Sequence, residues 1–81
     1  MATTIQAYRI LCRESPLLPD EGWDDPEQAQ RRIGLASGGE EVMIRLALAL
    51  WLDEDFLISD VLRLDHANRK AVGAAMQALL R

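Results

Sequence analysis

The feature that most constrains the fold is an apolar stretch near the middle of the chain. Within residues 40–52, the only polar side chains are Glu40, Glu41 and Arg45. A helix that is apolar on nearly every side is typical of the buried centre of a domain. Its longest unbroken apolar run, residues 46–52, is far shorter than the roughly 20 residues that a membrane-spanning helix needs. The stretch therefore predicts a buried central helix over 40–52, and a chain of 81 residues predicts a single domain over 1–81.

Capping and spacing signals predict helices before this stretch. Thr3 or Thr4 caps a first helix over 3–13, in which apolar residues recur at intervals of three and four. A strand is the weaker alternative there, because residues 5–10 also alternate. After a connector, Asp25 and Pro26 predict the start of a helix over 26–33. The residues that recur at this spacing in the first helix are Ile5, Tyr8, Leu11 and Cys12.

Similar signals define the rest of the chain. Ser37 and Glu40 have capping-box spacing at the start of the central helix, and Gly34 predicts a left-handed end to the helix before it. We expect residues 56–58 to return the chain to the core, and Ser59 or Asp60 to cap a short helix through Leu64. Asp65 caps a last helix over 66–80, in which Gly73 predicts close approach by helix 40–52, and the expected apolar stripe is Val72, Met76, Leu79 and Leu80. The predicted fold is all-α: about five helices, two of them short, around helix 40–52.

Charge and cysteine usage restrict the classes of function. The net charge is −4, and residues 14–27 contain six acids and no base. DNA-binding modules usually carry a concentrated basic surface, so nucleic-acid and acidic-membrane binding are disfavoured. One cysteine forms neither an internal disulfide nor a zinc site, and the first residues carry no export signal, which together predict a cytoplasmic protein.

A short string before the central helix invites comparison with nucleotide-binding proteins. Residues 35–40, Leu-Ala-Ser-Gly-Gly-Glu, resemble the signature loop of ABC-type and SMC-type ATPases. The resemblance implies phosphate binding by amides at a helix start. However, Val61 occupies the position of the catalytic glutamate of those families, and the chain contains no P-loop lysine motif. We therefore predict no nucleotide site.

Two other groups of residues contain side chains that can act in catalysis or bind a metal ion. Cys12 and His66 are the only thiol and the only imidazole, but a nucleophilic pair also needs an oxyanion site and an orienting group. The acids of residues 53–55, with Asp60, lack the turn glycine of a calcium loop. The sequence thus predicts no catalytic residue, no metal site, no cofactor and no enzymatic activity.

The remaining hypothesis is that the protein binds another protein. Bulky apolar side chains stand among acids in segment 15–27, a pattern that can dock on a basic, grooved partner. The alternative is that its apolar residues fold back as a lid over the core. The candidate partner-binding residues are Leu17, Leu18, Asp20, Glu21, Trp23, Asp24 and Asp25.

A second hypothesis is a DNA-binding regulator. Helices 59–64 and 66–80 would form a helix-turn-helix-like pair whose contacts to DNA would come from Arg63, Arg69 and Lys70. The small core also permits a homodimer. Compact acidic domains of this kind are common among accessory and inhibitor proteins, including those of phages and mobile elements, and we expect this chain to belong to that broad type.

Overall fold

The structure, a computed structural model, describes residues 2–80. These residues form five helices and no strand. The all-α prediction is confirmed, and residues 5–10 are helical rather than extended. The helices are α1 (Thr4–Glu14), α2 (Pro26–Ile33), α3 (Gly39–Leu52), α4 (Ile58–Val61) and α5 (His66–Leu80).

The core is built mainly from α1, α3 and α5. Helix α1 packs against both α5 and α3, and α2 packs against α3. The Tyr8 and Trp51 rings stack across the α1–α3 contact, with centroids 4.8 Å apart. Cys12 is fully buried, as its place on the apolar side of α1 predicted. Helix α3 contributes more buried residues than any other helix: Met43, Ile44, Leu46, Ala47, Leu48, Ala49 and Leu50.

Three of the predicted helix starts are confirmed by side-chain hydrogen bonds. Thr3 Oγ1 accepts from the Gln6 amide, and the Gln6 side chain accepts from the Thr3 amide, so the two residues form a capping box. Asp25 accepts from the Gln28 amide at the start of α2. Asp65 does the same for the Asn68 amide at the start of α5. Each bond satisfies an amide that has no partner within its helix.

The predicted signals around the start of α3 are wrong. The residue before α3 is Gly38, at φ 59° and ψ −131°, and no side chain caps the helix. The Ser37 capping box does not form, because Gly38 and not Ser37 is at the capping position, and the Glu40 carboxylate binds the Arg32 guanidinium at 2.8 Å. Gly34 is right-handed (φ −63°), since the chain continues from α2 into a tight turn in which the Leu35 amide bonds to the Arg32 carbonyl.

The predictions for α4 and α5 also need correction. Helix α4 starts at Ile58, and no side chain caps it. The predicted cap at Ser59 or Asp60 is wrong, because both residues lie inside the helix, where the Asp60 amide donates to the Leu57 carbonyl. The α helix itself ends at Val61, and only tight turns continue to Leu64.

In α5, a methyl group on Gly73 would meet no atom within 4 Å, so no other helix approaches it closely. Of the predicted stripe, Val72 is buried and Met76 and Leu79 pack against the core, whereas Leu80 is exposed. The buried residues of α5 are Asn68, Ala71, Val72 and Ala75.

The end of α3 is unusual. Asp53 is left-handed, at φ 55° and ψ 51°, and the Asp53 and Glu54 amides both donate to the Ala49 carbonyl. A residue with a Cβ costs roughly 1–2 kcal/mol in this conformation, which glycine adopts freely. The last turn of α3 contains no basic residue that would offset the partial negative charge of its carbonyl groups.

Candidate functional site

The segment proposed from the sequence, residues 15–27, is attached to the core at its beginning. Ser15 is buried, and its hydroxyl donates to Asn68 Oδ1 at 2.6 Å while accepting from the Leu17 amide at 3.2 Å. Leu18 is only 6 % exposed and belongs to the hydrophobic core. The first half of the segment is therefore a lid over the core.

A second attachment lies between this segment and α1. The Tyr8 hydroxyl accepts from the Trp23 amide at 2.9 Å, and the half-buried Trp23 side chain packs against the core. Gly22 adopts φ 76°, and a Cβ at this position would overlap the Tyr8 hydroxyl. Burial raises the pKa of Tyr8 to about 12, although the hydrogen bond from Trp23 acts in the opposite direction. Tyr8 therefore remains neutral and holds the end of the lid.

The structure thus separates the candidate residues of segment 15–27. Leu18 and Trp23 pack on the core, so neither is a free anchor for a partner. Leu17 is 40 % exposed, next to Gly39 at the start of α3. The four acids of the candidate set are exposed, and one of them, Asp25, is engaged as the cap of α2.

A larger apolar surface lies elsewhere, and the sequence reasoning missed it. Leu57, Ile58 and Leu62 are 66–68 % exposed, and Leu52 is 41 % exposed. The expected return to the core is therefore wrong for residues 57 and 58, and only Phe56 packs against it. We call these four leucine and isoleucine residues the α4 surface.

The sequence did contain a signal for the α4 surface. Residues 57 and 58 are apolar, 59 and 60 are polar, and 61 and 62 are apolar again. This spacing gives one helical turn an apolar face, and a single turn is too short to bury all of it against a neighbouring helix.

Two cavities lie along α3, and the larger one adjoins the α4 surface through Leu52 and Leu57. We call the two cavities together the groove along α3. One, of about 560 Å³, lies beside the second half of α3, where Leu48, Ala49, Leu52 and Phe56 contribute its apolar lining. The other, of about 450 Å³, lies beside the first half of α3, near Gly39. Arg45 and Asp60 line both cavities, so the two parts of the groove are neighbours along α3.

The two ends of the groove differ in charge. Glu54, Asp55 and Asp60 line the larger cavity together with one base, Arg45, whose guanidinium binds Glu41 at 2.9 Å. The smaller cavity contains equal numbers of acids and bases: Glu41 and Asp60 with Arg45 and Arg63. The groove is therefore acidic at the end of α3 and balanced at its start.

The residues proposed for DNA binding are all exposed, but acids stand beside them. Arg63 shares its cavity with Glu41 and Asp60. Arg69 and Lys70 lie on the exposed side of α5, near Asp65. Two hydrogen bonds from Asn68 lower the pKa of Asp65, and the charges of Arg69 and His66 lower it further. The Asp65 carboxylate is thus charged and offsets part of this basic set.

The other candidate chemistry finds little support in the geometry. Cys12 is buried and burial raises its pKa to about 11, whereas His66 is exposed, and no hydrogen bond joins them. Across residues 2–80, no three His, Cys, Asp or Glu side chains lie close enough together to hold a metal ion. No helix in that range has the length and apolar character needed to cross a membrane.

Comparisons with known proteins identify no relative. No protein-family model matches the chain, and no curated protein or solved structure matches it significantly.

Proposed function

We propose that this protein is a non-enzymatic, cytoplasmic interaction or regulatory module that binds a protein partner through the α4 surface. The observation that supports this proposal is the exposure of Leu57, Ile58 and Leu62, each about two-thirds accessible within six residues of sequence. Burying one such side chain fully in an interface is worth roughly 1.5–3 kcal/mol. A concentration of exposed apolar residues is typical of binding sites, whereas scattered ones are ordinary.

The surroundings of the α4 surface resemble the anatomy of a protein interface. An apolar centre bordered by polar and charged residues excludes water from the main contacts and contributes specificity at the rim. Here the α4 surface adjoins the apolar lining of the groove, and exposed acids at 53–55 stand at its edge. This combination supports protein binding rather than a small-molecule site.

The segment predicted from the sequence contributes less than expected to this proposal. Only Leu17 of its apolar residues is exposed, and it lies beside Gly39, which lines the smaller cavity. We propose that Leu17 extends the binding surface beyond the start of α3, while the rest of segment 15–27 closes the core.

The proposal can be tested by site-specific photocrosslinking in cells that produce the protein naturally. A photoreactive amino acid at position 57 is expected to form a crosslinked protein complex, whereas the same group at the exposed Gln77 of α5 is not. The crosslink should disappear when Ile58→Ser and Leu62→Ser are added and should persist with Leu80→Ser. Leu80 is a suitable control because it is also a highly exposed leucine.

Two results would contradict the proposal. One is a crosslinking pattern that is the same at positions 57 and 77. The other is micromolar binding to mixed-sequence duplex DNA that collapses as salt rises and is lost on combining Arg63→Ala, Arg69→Ala and Lys70→Ala, because this would favour the DNA-binding alternative.

A further inference from the structure

The shape and charge of the groove define the kind of partner that fits it. We infer that the groove along α3 binds an amphipathic helix of another protein, with the basic end of that helix against the acids at the end of α3. This inference rests on the proposed function and specifies the chemistry of the partner.

The length of the groove sets the length of the helix. The linings of the two cavities extend along α3 from Gly39 to Leu52 and share Arg45 and Asp60. A 14-residue helix is about 20 Å long, so the groove accommodates three to four turns of a second helix. An extended peptide of the same length would need only about six residues.

The apolar lining indicates how such a helix is held. Leu48 and Ala49 are buried in α3, with Phe56 and Leu57 on the 53–63 side of the larger cavity. A helix that lies in a groove of this kind presents apolar residues at intervals of three, four and seven. These anchors would cover part of the α4 surface.

The charges determine the orientation of the helix. Glu54, Asp55 and Asp60 face the larger cavity, and the only base there, Arg45, is already engaged with Glu41. The carbonyl groups at the end of α3 add partial negative charge. Basic residues of the partner are therefore favoured at this end and acidic ones are repelled, while the balanced cavity at the start of α3 selects neither sign.

A second copy of this chain is a poorer occupant. The longer helices α1, α3 and α5 bury their own apolar residues in the core, and α2 packs against α3. Within residues 2–80, no helix remains with a free apolar face and a basic end. A helix from a different protein meets both requirements without unfolding this one.

The experiment selects partners from a displayed library of random 16-residue peptides, using the full chain as bait. We expect the enriched peptides to have apolar residues at helical spacing and a net positive charge. They should become helical on binding, as measured by circular dichroism. The double variant Glu54→Lys/Asp55→Lys should weaken their binding at least tenfold at low salt, and the matched charge reversal Glu14→Lys, at an exposed acid of α1, should change it less than twofold.

The outcomes separate this inference from the proposed function. Enrichment of extended or acidic peptides, an affinity unchanged by E54K/D55K, or no enrichment at all would overturn the helix inference, and the crosslink at position 57 would still support the proposed function. Peptides that bind equally well to L57S/I58S/L62S would contradict both. A dimer in sedimentation that this triple variant dissociates would show that a second copy occupies the groove and would also overturn the inference.

Discussion

Two connecting segments of this molecule have similar compositions, but one packs on the core and the other is exposed. Residues 15–25 and residues 53–63 each follow a helix, and each combines leucines with several acids. In the first segment, the Ser15 hydroxyl donates to Asn68 and the Trp23 amide donates to the Tyr8 hydroxyl, and Leu18 is buried. The second is held by backbone hydrogen bonds, such as that from the Asp60 amide to the Leu57 carbonyl, and exposes Leu57, Ile58 and Leu62.

The difference shows what decides whether an acidic, leucine-rich connector closes a core or remains available. Ser15 reaches Asn68, which is 53 residues away in sequence, and Trp23 reaches Tyr8 in the preceding helix. These distant partners hold the backbone close enough for Leu18 to be buried. Among the described residues, no side-chain hydrogen bond of this kind connects segment 53–63 to the rest of the fold. The same residue types therefore stabilise the fold in one segment and form a surface in the other.

The most direct test of this comparison is to truncate one leucine in each segment. Leu18→Ala should lower the free energy of unfolding by about 3 kcal/mol, because it leaves a cavity in the core. Leu57→Ala should change it by less than about 0.5 kcal/mol, because the side chain is already in water. Urea denaturation measures both, and equal effects would show that the two segments do not differ in this way.

A second test concerns the close approach of the first segment to α1. Gly22→Ala should destabilise the protein by about 3 kcal/mol, because the new methyl group overlaps the Tyr8 hydroxyl and the left-handed backbone adds strain. The Tyr8 ring is stacked on Trp51 and has little room to move. Gly38→Ala is the matched control: its φ is also positive, but no atom lies within 4 Å, so only about 1 kcal/mol is expected. Thermal unfolding that ranks the two variants in reverse would refute the packing explanation.

Removing the distant partner of Ser15 should loosen one segment without affecting the other. Asn68→Ala is expected to cost about 2 kcal/mol, because the buried Ser15 hydroxyl loses its acceptor. Hydrogen exchange should become faster at the Leu17 and Leu18 amides and stay unchanged in residues 57–62. The exposed substitution Gln77→Ala, on the same helix, should alter neither region. Faster exchange in both segments would mean that Asn68 supports the whole fold rather than the lid.

High pH should lower the free energy of unfolding through two buried acids of α1, one of which, Tyr8, also holds the lid segment. Burial raises the pKa of Cys12 from 9.0 to about 11 and that of Tyr8 from 10.0 to about 12. Both groups stay neutral in the folded state but ionise at lower pH in the unfolded chain, so stability is fully present below pH 9 and falls as the pH rises toward 12. In urea denaturation between pH 8 and 12, Cys12→Ala should delay the onset of this loss to about pH 10. A wild-type protein with constant stability across this range would contradict the burial of both groups.

The smallest expected change in stability is at Gly73 in α5, outside both segments, and the effects within the segments can be compared with it. Gly73→Ala should stabilise the protein by about 0.5–1 kcal/mol, because alanine favours the helix and meets no neighbouring atom. The melting temperature measures this change. A destabilised variant would instead support the close packing of another helix on Gly73 that the sequence predicted.

The sequence predicted features that depend on neighbouring residues better than those that depend on distant ones. The caps at Thr3, Asp25 and Asp65 were identified correctly, because each capping side chain acts within three residues. The Ser37 capping box failed because α3 begins after Gly38, which leaves Ser37 outside the capping position, and because Arg32 of the preceding helix binds Glu40. No local pattern reveals such competition.

The same limit applies to the candidate site. The sequence identified one acidic, apolar connector, segment 15–27, as the candidate site, and it left open whether this segment was a lid or a docking edge; it did not identify the α4 surface. The hydrogen bonds of Ser15 and Tyr8 that bury Leu18 and Trp23 involve tertiary neighbours, and periodicity contains no information about them. Leu57 and Ile58 are exposed because α4 is only one turn long. Backbone hydrogen bonds define the length of α4, and the sequence pattern does not specify them.

The left-handed Asp53 at the end of α3 affects both the stability and the surface charge of the protein. Glycine would relieve its backbone strain, and a basic residue would suit the carbonyl end of α3, so aspartate is doubly unfavourable for the folded state. The end of α3 is therefore a point where the stability of the fold and the charge of its surface are coupled. Asp53→Gly would raise the free energy of unfolding and would at the same time remove one negative charge from this end of the helix.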